Sequence, residues 1–126
     1  MNLNSIGSLA EFMKLLENET ANLVFFVHSN WATESSLGLS KVQATFKTIN
    51  STKSITIIDN SSASSFIYNW LQKQTNQKSS EMKISNKNEP WVHGKGELFG
   101  IINKELSFFE PSTVNINQKK LERILI

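Results

Sequence analysis

Two short apolar runs, separated by a segment with helical spacing, constrain the fold of this chain most strongly. The runs are residues 22–28 (NLVFFVH) and 54–59 (SITIID), and both are rich in β-branched or aromatic residues. Compact runs of apolar and β-branched residues of this length predict strands that are covered on both faces of a sheet. Between them, apolar side chains recur on one face of a helix over residues 33–49. Because a strand, helix, strand order needs a crossover, the two strands are predicted to be parallel.

The other elements follow from the same periodicities and from signals at their ends. They are predicted, in chain order, as a helix over residues 8–19, a helix over 66–75, a hairpin of strands 98–102 and 106–109, and a helix over 118–125. Ser8 with Glu11 forms a capping box, and Asn117 is placed to cap the last helix. Residues 77–89 are polar and are predicted to be a loop. This order predicts an α/β fold with a mixed central sheet of about four strands between helices on both faces.

Length and charge predict the number of domains and the kinds of partner for this chain. At 126 residues the chain is expected to form one domain over residues 1–126. Its 13 Lys and Arg against 11 Asp and Glu leave a net charge of +2, and Arg123 is the single arginine. The lysines are scattered, whereas nucleic-acid surfaces cluster Lys and Arg, so no nucleic-acid partner is expected. The sequence shows no signal-peptide pattern and no apolar stretch of about 18 residues, so we expect a cytoplasmic protein without a membrane partner.

The chain contains no cysteine. Thiol nucleophiles, iron–sulfur clusters, cysteine zinc sites and thiol redox reactions are therefore excluded for this sequence. The glycines at 94, 96 and 100 do not form a dinucleotide-binding fingerprint, because no predicted helix follows them. No motif implies a cofactor or a metal, so neither is expected.

Residues 23–36 (LVFFVHSNWATESS) resemble the strand and helix start that carry the W-C-G-P-C motif of thioredoxins. In this resemblance, Trp31 falls on the tryptophan, Ala32 on the first cysteine and Ser35 on the second. The pair His28-Ser29 resembles the H-S-x-x-C pattern of bacilliredoxins, which share the fold. The spacing of the motif is present, and its thiols are absent.

Three further segments are similar to thioredoxins and extend the resemblance over nearly the whole chain. They are the strand end at residues 57–60, the hairpin at 103–106 and the closing helix at 121–125. The resemblance implies a thioredoxin-like fold and descent from thiol-disulfide oxidoreductases.

The departures from the thioredoxin pattern extend beyond the two missing cysteines. Phe26 stands where thioredoxins carry a buried aspartate, and Gly96 stands where they carry a cis-proline. A cis peptide bond before glycine costs far more than one before proline, so we expect this loop to be built differently. An inactive variant made by replacing the cysteines would keep the aspartate and the proline, so these losses favour natural divergence.

The resemblance also implies a candidate binding face, because thioredoxins receive extended polypeptide at the start of this helix. The residues that match it are Trp31, Ala32, Thr33, Glu34 and Ser35, together with the loop residues Lys95 and Gly96. Trp31 and Trp91 are the aromatic side chains placed to anchor a protein or peptide partner. The alternative for Trp31 is a half-buried packing role, and the alternative for residues 77–93, which include Trp91, is a disordered surface loop.

Serine, histidine and acidic side chains of this sequence are also candidates for two other kinds of site. A hydrolase triad needs a serine, a histidine and an acid, and the candidates are His28, Asp59 and either Ser29 or Ser35. A metal site needs three ligands to meet, and the candidates are His28, His93 and Glu34. Each hypothesis requires its named side chains to lie together.

Three functional hypotheses follow. The first is a redox-inactive, thioredoxin-fold protein that binds a protein or peptide, or regulates one, through the relict active-site face. The second is a thiol-disulfide oxidoreductase that is present here in a cysteine-free, inactive form. The third is an unrelated α/β fold with a ligand site that the sequence does not reveal.

Overall fold

The computed structural model describes residues 2–18, 22–51, 53–60, 66–82 and 92–126. The strands are β1 (Asn2–Ile6), β2 (Leu23–Ser29), β3 (Ser54–Asn60), β4 (Leu98–Ile102) and β5 (Glu105–Glu110). The helices are α1 (Leu9–Asn18), α2 (Thr33–Ile49), α3 (Phe66–Met82) and α4 (Gln118–Leu125), with a 3₁₀ turn at Thr113–Asn115.

The five strands form one mixed sheet in the order β1-β3-β2-β4-β5. β2 and β3 are parallel, with Phe26 opposite Ile57, as the crossover through α2 requires. β4 runs antiparallel to β2, and β5 runs antiparallel to β4. The predicted parallel pair and the predicted hairpin are both confirmed.

β1 adds one strand that the sequence signals did not predict. Its sequence, NLNSI, is short and mostly polar, and Ile6 is buried whereas Asn4 and Ser5 are exposed. The strand pairs parallel with β3 along the edge of the sheet. Main-chain hydrogen bonds to β3, rather than an apolar pattern, define this strand.

The sheet separates two apolar cores. On one side, α1 and α3 cover Phe25 and Phe99, and the Phe12 ring meets the Phe25 ring edge-on at 5.3 Å. On the other side, α2 and α4 cover Phe26 and Leu98. Consecutive residues of β2 therefore point into opposite cores, as the pleat of a strand requires.

Helix α3 continues to Met82, whereas the sequence predicted an end near residue 75 and a loop from residue 77. The correction has a local cause, since residues 76–82 contain Gln, Lys, Glu and Met, which favour helix without forming an apolar stripe. Thr75 is buried, and Gln72 Nε2 donates to Asn76 Oδ1 at 2.8 Å along the helix. The remainder of the predicted loop, residues 83–89, and Trp91 lie outside the described residues.

The predicted ends of α1 and α4 are confirmed. The Glu11 amide donates to Ser8 Oγ at 3.2 Å, and Asn117 Oδ1 accepts from the Lys119 amide at 2.9 Å. Within the described ranges, no helix is long and apolar enough to cross a membrane.

Candidate functional site

The start of α2 lies directly after β2 and presents Trp31 to solvent. Ala32 is the N-cap residue, and its amide donates to the Ser29 carbonyl at 3.0 Å. The side chain of Trp31 is 46% exposed, whereas Ala32 is only partly exposed. Thr33 and Glu34 form the exposed first turn of the helix. The predicted site residues thus lie at one helix start, and Trp31 is the large apolar side chain among them.

Ser35, which matches the second cysteine of the thioredoxin motif, is fully buried. Its Oγ accepts from the Ser29 amide at 2.8 Å and donates to the Val27 carbonyl at 3.2 Å. Both hydrogen bonds join the first turn of α2 to the end of β2. The hydroxyl therefore has a structural role, because it is held on the main chain and away from solvent.

The loop before β4 contains two glycines with positive φ, and Gly94 packs against this helix start. Gly94 has φ 86°, and a Cβ placed on it would lie 2.8 Å from the Trp31 ring and 2.9 Å from the Ala32 Cβ. Gly96 has φ 79°, and a Cβ there would lie 2.6 Å from Thr113 Oγ1. Neither position accepts another residue without strain, because L side chains rarely adopt this φ.

Main-chain carbonyls hold the loop before β4 to its neighbours. The Gly96 carbonyl accepts from both the Thr113 amide at 3.1 Å and Thr113 Oγ1 at 2.8 Å. The Glu97 carbonyl accepts from the Val27 amide at 2.9 Å. None of the described residues has a cis peptide bond.

An ion pair connects the helix start to the loop. Lys95 Nζ lies 3.6 Å from Glu34 Oε2, and both side chains are partly exposed to solvent. An exposed pair of this kind stabilises a fold by roughly 0 to 1 kcal/mol, so a charged partner can displace it at little cost. We refer to Trp31, Ala32, Glu34 and Lys95 together as the Trp31 surface, whereas Gly96, the other predicted loop residue, is buried.

A buried polar network, here called the Tyr68 network, lies on the α3 side of the sheet behind the Trp31 surface. Its members are Ser29, Asn60, Tyr68, His93 and Glu97. Ser29 Oγ is 2.8 Å from the Tyr68 hydroxyl and accepts from Asn60 Nδ2 at 3.0 Å. The Tyr68 and His93 rings stack with centroids 3.9 Å apart and planes 17° apart. The network therefore joins the ends of β2 and β3 to α3 and to the loop before β4.

Burial raises the pKa of the Tyr68 hydroxyl, and the nearby charge of Glu97 raises it further. Hydrogen bonds from Ser29 and Asn60 and with the Gly94 main chain partly oppose this shift. The phenol therefore stays protonated at neutral pH, so it keeps a proton with which to hydrogen-bond. Glu97 is fully buried, as is Ser29, so the network has no direct opening to solvent at these side chains.

The structure contradicts the hydrolase triad. His28 lies opposite Asp59 in the β2–β3 register, and its Nε2 is 3.4 Å from Ser36 Oγ of α2, whereas Ser29 hydrogen-bonds to Tyr68 on the α3 side of the sheet. Neighbouring strand residues point to opposite faces, so Ser29 cannot share a site with His28. Ser35 bonds to the main chain instead of to a histidine.

The metal hypothesis fails for a related reason. His93 stacks on Tyr68 on the α3 side, whereas His28 contacts α2 on the other side of the sheet. Glu34 pairs with Lys95. Within the part of the chain that the structure describes, no group of three His, Asp or Glu residues is placed to hold a metal ion.

Sequence reasoning missed Asn60, Tyr68 and Glu97 as members of a polar network. The available signal was a polar residue at the end of each of two apolar strands, and a charged residue directly before the apolar run of β4. Such residues usually lie in solvated turns, and only the packing of α3 across the strand ends encloses them. Trp91, the second predicted anchor, lies outside the described residues.

No protein-family model matches this sequence, and no curated protein matches it. Among solved structures, one described as "A putative oxidoreductase with a thioredoxin fold" matches with a TM-score of 0.60 at 14% sequence identity. The match covers 96% of this chain and 91% of that chain. A parallel β2–β3 pair, an antiparallel β4–β5 hairpin and flanking helices on both faces define the same class, so this chain has a thioredoxin fold.

The protein is a thioredoxin-fold protein without cysteine. Ala32 and Ser35 occupy the N-cap and the third helical residue of α2, at the helix start that the resemblance assigned to the two thiols. The hypothesis of an unrelated α/β fold is therefore wrong.

Proposed function

We propose that this protein is a redox-inactive binding module that holds an extended segment of a protein partner on the Trp31 surface. The observation that supports this most directly is Trp31 itself, which is 46% exposed although its ring packs against Gly94. An exposed aromatic side chain that is already held in place loses little conformational entropy on binding. Tryptophan is also among the residues that contribute most to binding energy at interfaces.

The main chain of the loop offers few acceptors to such a segment. The carbonyls of Gly96 and Glu97 are occupied by Thr113 and Val27. The Lys95 carbonyl faces α2, 3.6 Å from the position of a Cβ on Gly38. Recognition is therefore expected to depend on side chains rather than on strand-like pairing with these carbonyls.

The charges beside Trp31 define the chemistry of the partner. Glu34 and Lys95 carry opposite charges and lie on opposite sides of the junction between helix and loop. A segment with one aromatic or apolar side chain and a neighbouring charge can stack on Trp31 and exchange one partner of this ion pair. We propose a peptide of that composition as the occupant.

Replacing Trp31 with alanine is expected to weaken binding of such peptides at least tenfold, about 1.4 kcal/mol, because the anchoring ring is removed. A random library of linear peptides is selected on the wild-type protein, and the affinities of the enriched peptides are measured by titration calorimetry. Leu9→Ala is the matched control, since Leu9 is 48% exposed but lies in α1 on the other side of the sheet. Enriched peptides that bind Trp31→Ala as tightly as the wild type would show that the Trp31 surface is not the binding site.

The second candidate function is a thiol-disulfide oxidoreductase in a cysteine-free form. It is favoured by the position of Ala32 and Ser35, because a cysteine at a helix N-terminus has a lowered pKa. Two observations count against it. Phe26 fills the core position that would hold an aspartate, and Gly96 adopts a φ that proline cannot.

The double variant Ala32→Cys/Ser35→Cys separates these two functions. We expect it to form an internal disulfide, since side chains three residues apart at a helix start are neighbours, but to reduce insulin at the uncatalysed rate. The reason is that Phe26 and Gly96 leave the supporting residues of a thioredoxin site missing. Thiol counting and insulin precipitation with dithiothreitol measure both properties.

Ala32→Cys alone is the matched control for the double variant, because it carries one thiol and cannot close an internal disulfide. No other cysteine is present, so every thiol counted is an introduced one. Catalytic reduction of insulin by the double variant and not by Ala32→Cys would favour the oxidoreductase and contradict the proposed loss of redox function.

A further inference from the structure

We propose that His93 is a pH-dependent latch, whose neutral form holds the loop of residues 92–97 under Trp31 and whose protonated form releases it. The proposal rests on the proposed function in one respect, since the latch would make partner binding at the Trp31 surface weaken as the pH falls. The movement of the loop itself is a property of the protein alone.

The fixed half of the latch is Tyr68. It is buried in α3, and its hydroxyl lies 2.8 Å from Ser29 Oγ, which in turn accepts from Asn60 Nδ2. These hydrogen bonds hold the phenol ring against the ends of two central strands. The His93 ring, 3.9 Å away and nearly parallel, therefore stacks on a surface that does not move with the loop.

Movement of the loop reaches Trp31 through Gly94. It follows His93 in sequence, has φ 86°, and lies so close to the Trp31 ring and Ala32 that a Cβ would meet both. The main chain of Gly94 also interacts with the Tyr68 hydroxyl. Because His93 and Gly94 are consecutive residues, release of the loop shifts the backbone against which the Trp31 ring packs.

Among the described residues, charged and titratable groups near the His93 stack come from α3, from the segment before β4 and from α2. Tyr68 faces it from α3, and Glu97 lies near the Tyr68 hydroxyl from the segment before β4. Lys95, two residues further on, turns to Glu34 of α2. The other histidine, His28, contacts Ser36 on the opposite side of the sheet.

Burial lowers the pKa of His93 below its ordinary value of 6.5. A lowered pKa means that the released, solvated imidazole binds a proton more tightly than the stacked one. The stack therefore stabilises the closed loop fully above pH 6.5, and this contribution is lost as the pH falls through the lowered pKa. The latch is closed near neutral pH and opens under acid conditions.

The latch is tested by NMR on the protein without any partner. The Gly94 and Gly96 amides and the Trp31 indole are followed from about pH 8 to about pH 5, together with the ring protons of both histidines. In the wild type, the three loop and indole signals are expected to shift with one midpoint, below 6.5, that equals the midpoint of the His93 ring. The transition is expected to disappear in His93→Gln, which cannot titrate.

The chain offers a matched control, because it contains only two histidines. His28→Gln removes the other one and is expected to keep the transition of Gly94 and Trp31. The latch is overturned if these signals do not titrate with the His93 ring in the wild type, or if the transition persists in His93→Gln. The wild-type comparison of midpoints decides the matter even if His93→Gln does not fold.

A second measurement separates the latch from the proposed function. Affinities of the selected peptides are expected to fall with the pH for the wild type and to be independent of pH over this range for His93→Gln. Titration of the loop without binding of any peptide would contradict the proposed function and leave the latch intact.

Discussion

Replacing Gly96 with proline is expected to lower the free energy of unfolding by more than about 3 kcal/mol, although proline is the residue of the thioredoxin pattern. Gly96 has φ 79°, whereas the proline ring fixes φ near −65°. The loop would have to rebuild its contacts with Thr113, which donates two hydrogen bonds to the Gly96 carbonyl. Urea denaturation followed by circular dichroism measures the difference.

Two alanine variants serve as controls for Gly96→Pro. Gly7→Ala is expected to change stability little, because a Cβ on Gly7 meets nothing within 4 Å. Gly96→Ala is expected to be destabilised by roughly 1 to 3 kcal/mol, since its Cβ meets Thr113 Oγ1 and its φ is strained. A Gly96→Pro protein as stable as the wild type would show that the loop readily accepts the thioredoxin conformation, and would favour the oxidoreductase.

Replacing Phe26 with aspartate is expected to abolish cooperative folding at neutral pH. Truncating a buried phenylalanine typically costs about 3 to 5 kcal/mol, and an unpaired buried carboxylate adds several more. Whole domains are stable by only about 5 to 15 kcal/mol, so the sum removes most of the stability. The side chain is fully buried among Val42, Phe46 and Leu98, with Gly96 against its ring.

Phe26→Leu is the matched control for the aspartate variant. It keeps the core apolar and is expected to fold, with a loss of roughly 1 to 3 kcal/mol. Thermal unfolding by calorimetry distinguishes the two variants. A cooperative transition for Phe26→Asp close to that of Phe26→Leu would mean that this core can hold a carboxyl group. Phe26 would then no longer favour natural divergence over a thioredoxin whose cysteines were replaced.

Together, the Gly96 and Phe26 variants test whether the packing of this protein accommodates the residues of the thioredoxin pattern. The aromatic ring at 26 and the glycine at 96 contact each other, since a Cβ on Gly96 would lie 3.0 Å from Phe26 Cζ. A proline and an aspartate at these positions would each disturb the other's surroundings. The two departures are therefore parts of one packing arrangement, which differs from a thioredoxin with its cysteines replaced.

The arrangement of the central elements could be predicted from the sequence. Residues 22–28 and 54–59 are apolar enough to specify β2 and β3, and the helical spacing between them fixed their parallel order. The caps at Ser8 and Asn117 were predictable because each depends on a few neighbouring residues. Helix caps depend only on residues that are close together in the sequence, so the sequence is enough to predict them.

Elements with weak local signals were missed or cut short. β1 has too few apolar residues to be recognised, and it exists through main-chain pairing with β3. The end of α3 lacks an apolar stripe, so its polarity predicted a loop where helix propensity continues to Met82. In both cases the deciding interactions lie outside the pattern of apolar residues.

The sequence predicted where the candidate site lies, and the structure added the residues from other elements that pack around it. The motif around Trp31 predicted which residues begin α2, but the exposure of Trp31 depends on Gly94, distant in the sequence. The Tyr68 network was not foreseen, because each of its members is an ordinary polar residue until α3 encloses it. The separation of His28 from Ser29 follows because β2 continues to Ser29, one residue beyond the predicted strand, so the pleat places the two side chains on opposite faces.

The sequence by itself determined that this chain carries no thiol, and it determined the order of the central strands and helices. A sequence without cysteine has no thiol chemistry, and the apolar pattern that predicts a strand or a helix depends on residues close together in the sequence. Only the tertiary structure decided that Ser35 is bound to the main chain, that Trp31 is half exposed, and that His93 stacks on Tyr68. The Ser35 hydrogen bonds form only when the start of α2 packs against the end of β2, and the contacts of Trp31 and His93 form only when the sheet brings residues far apart in the chain together.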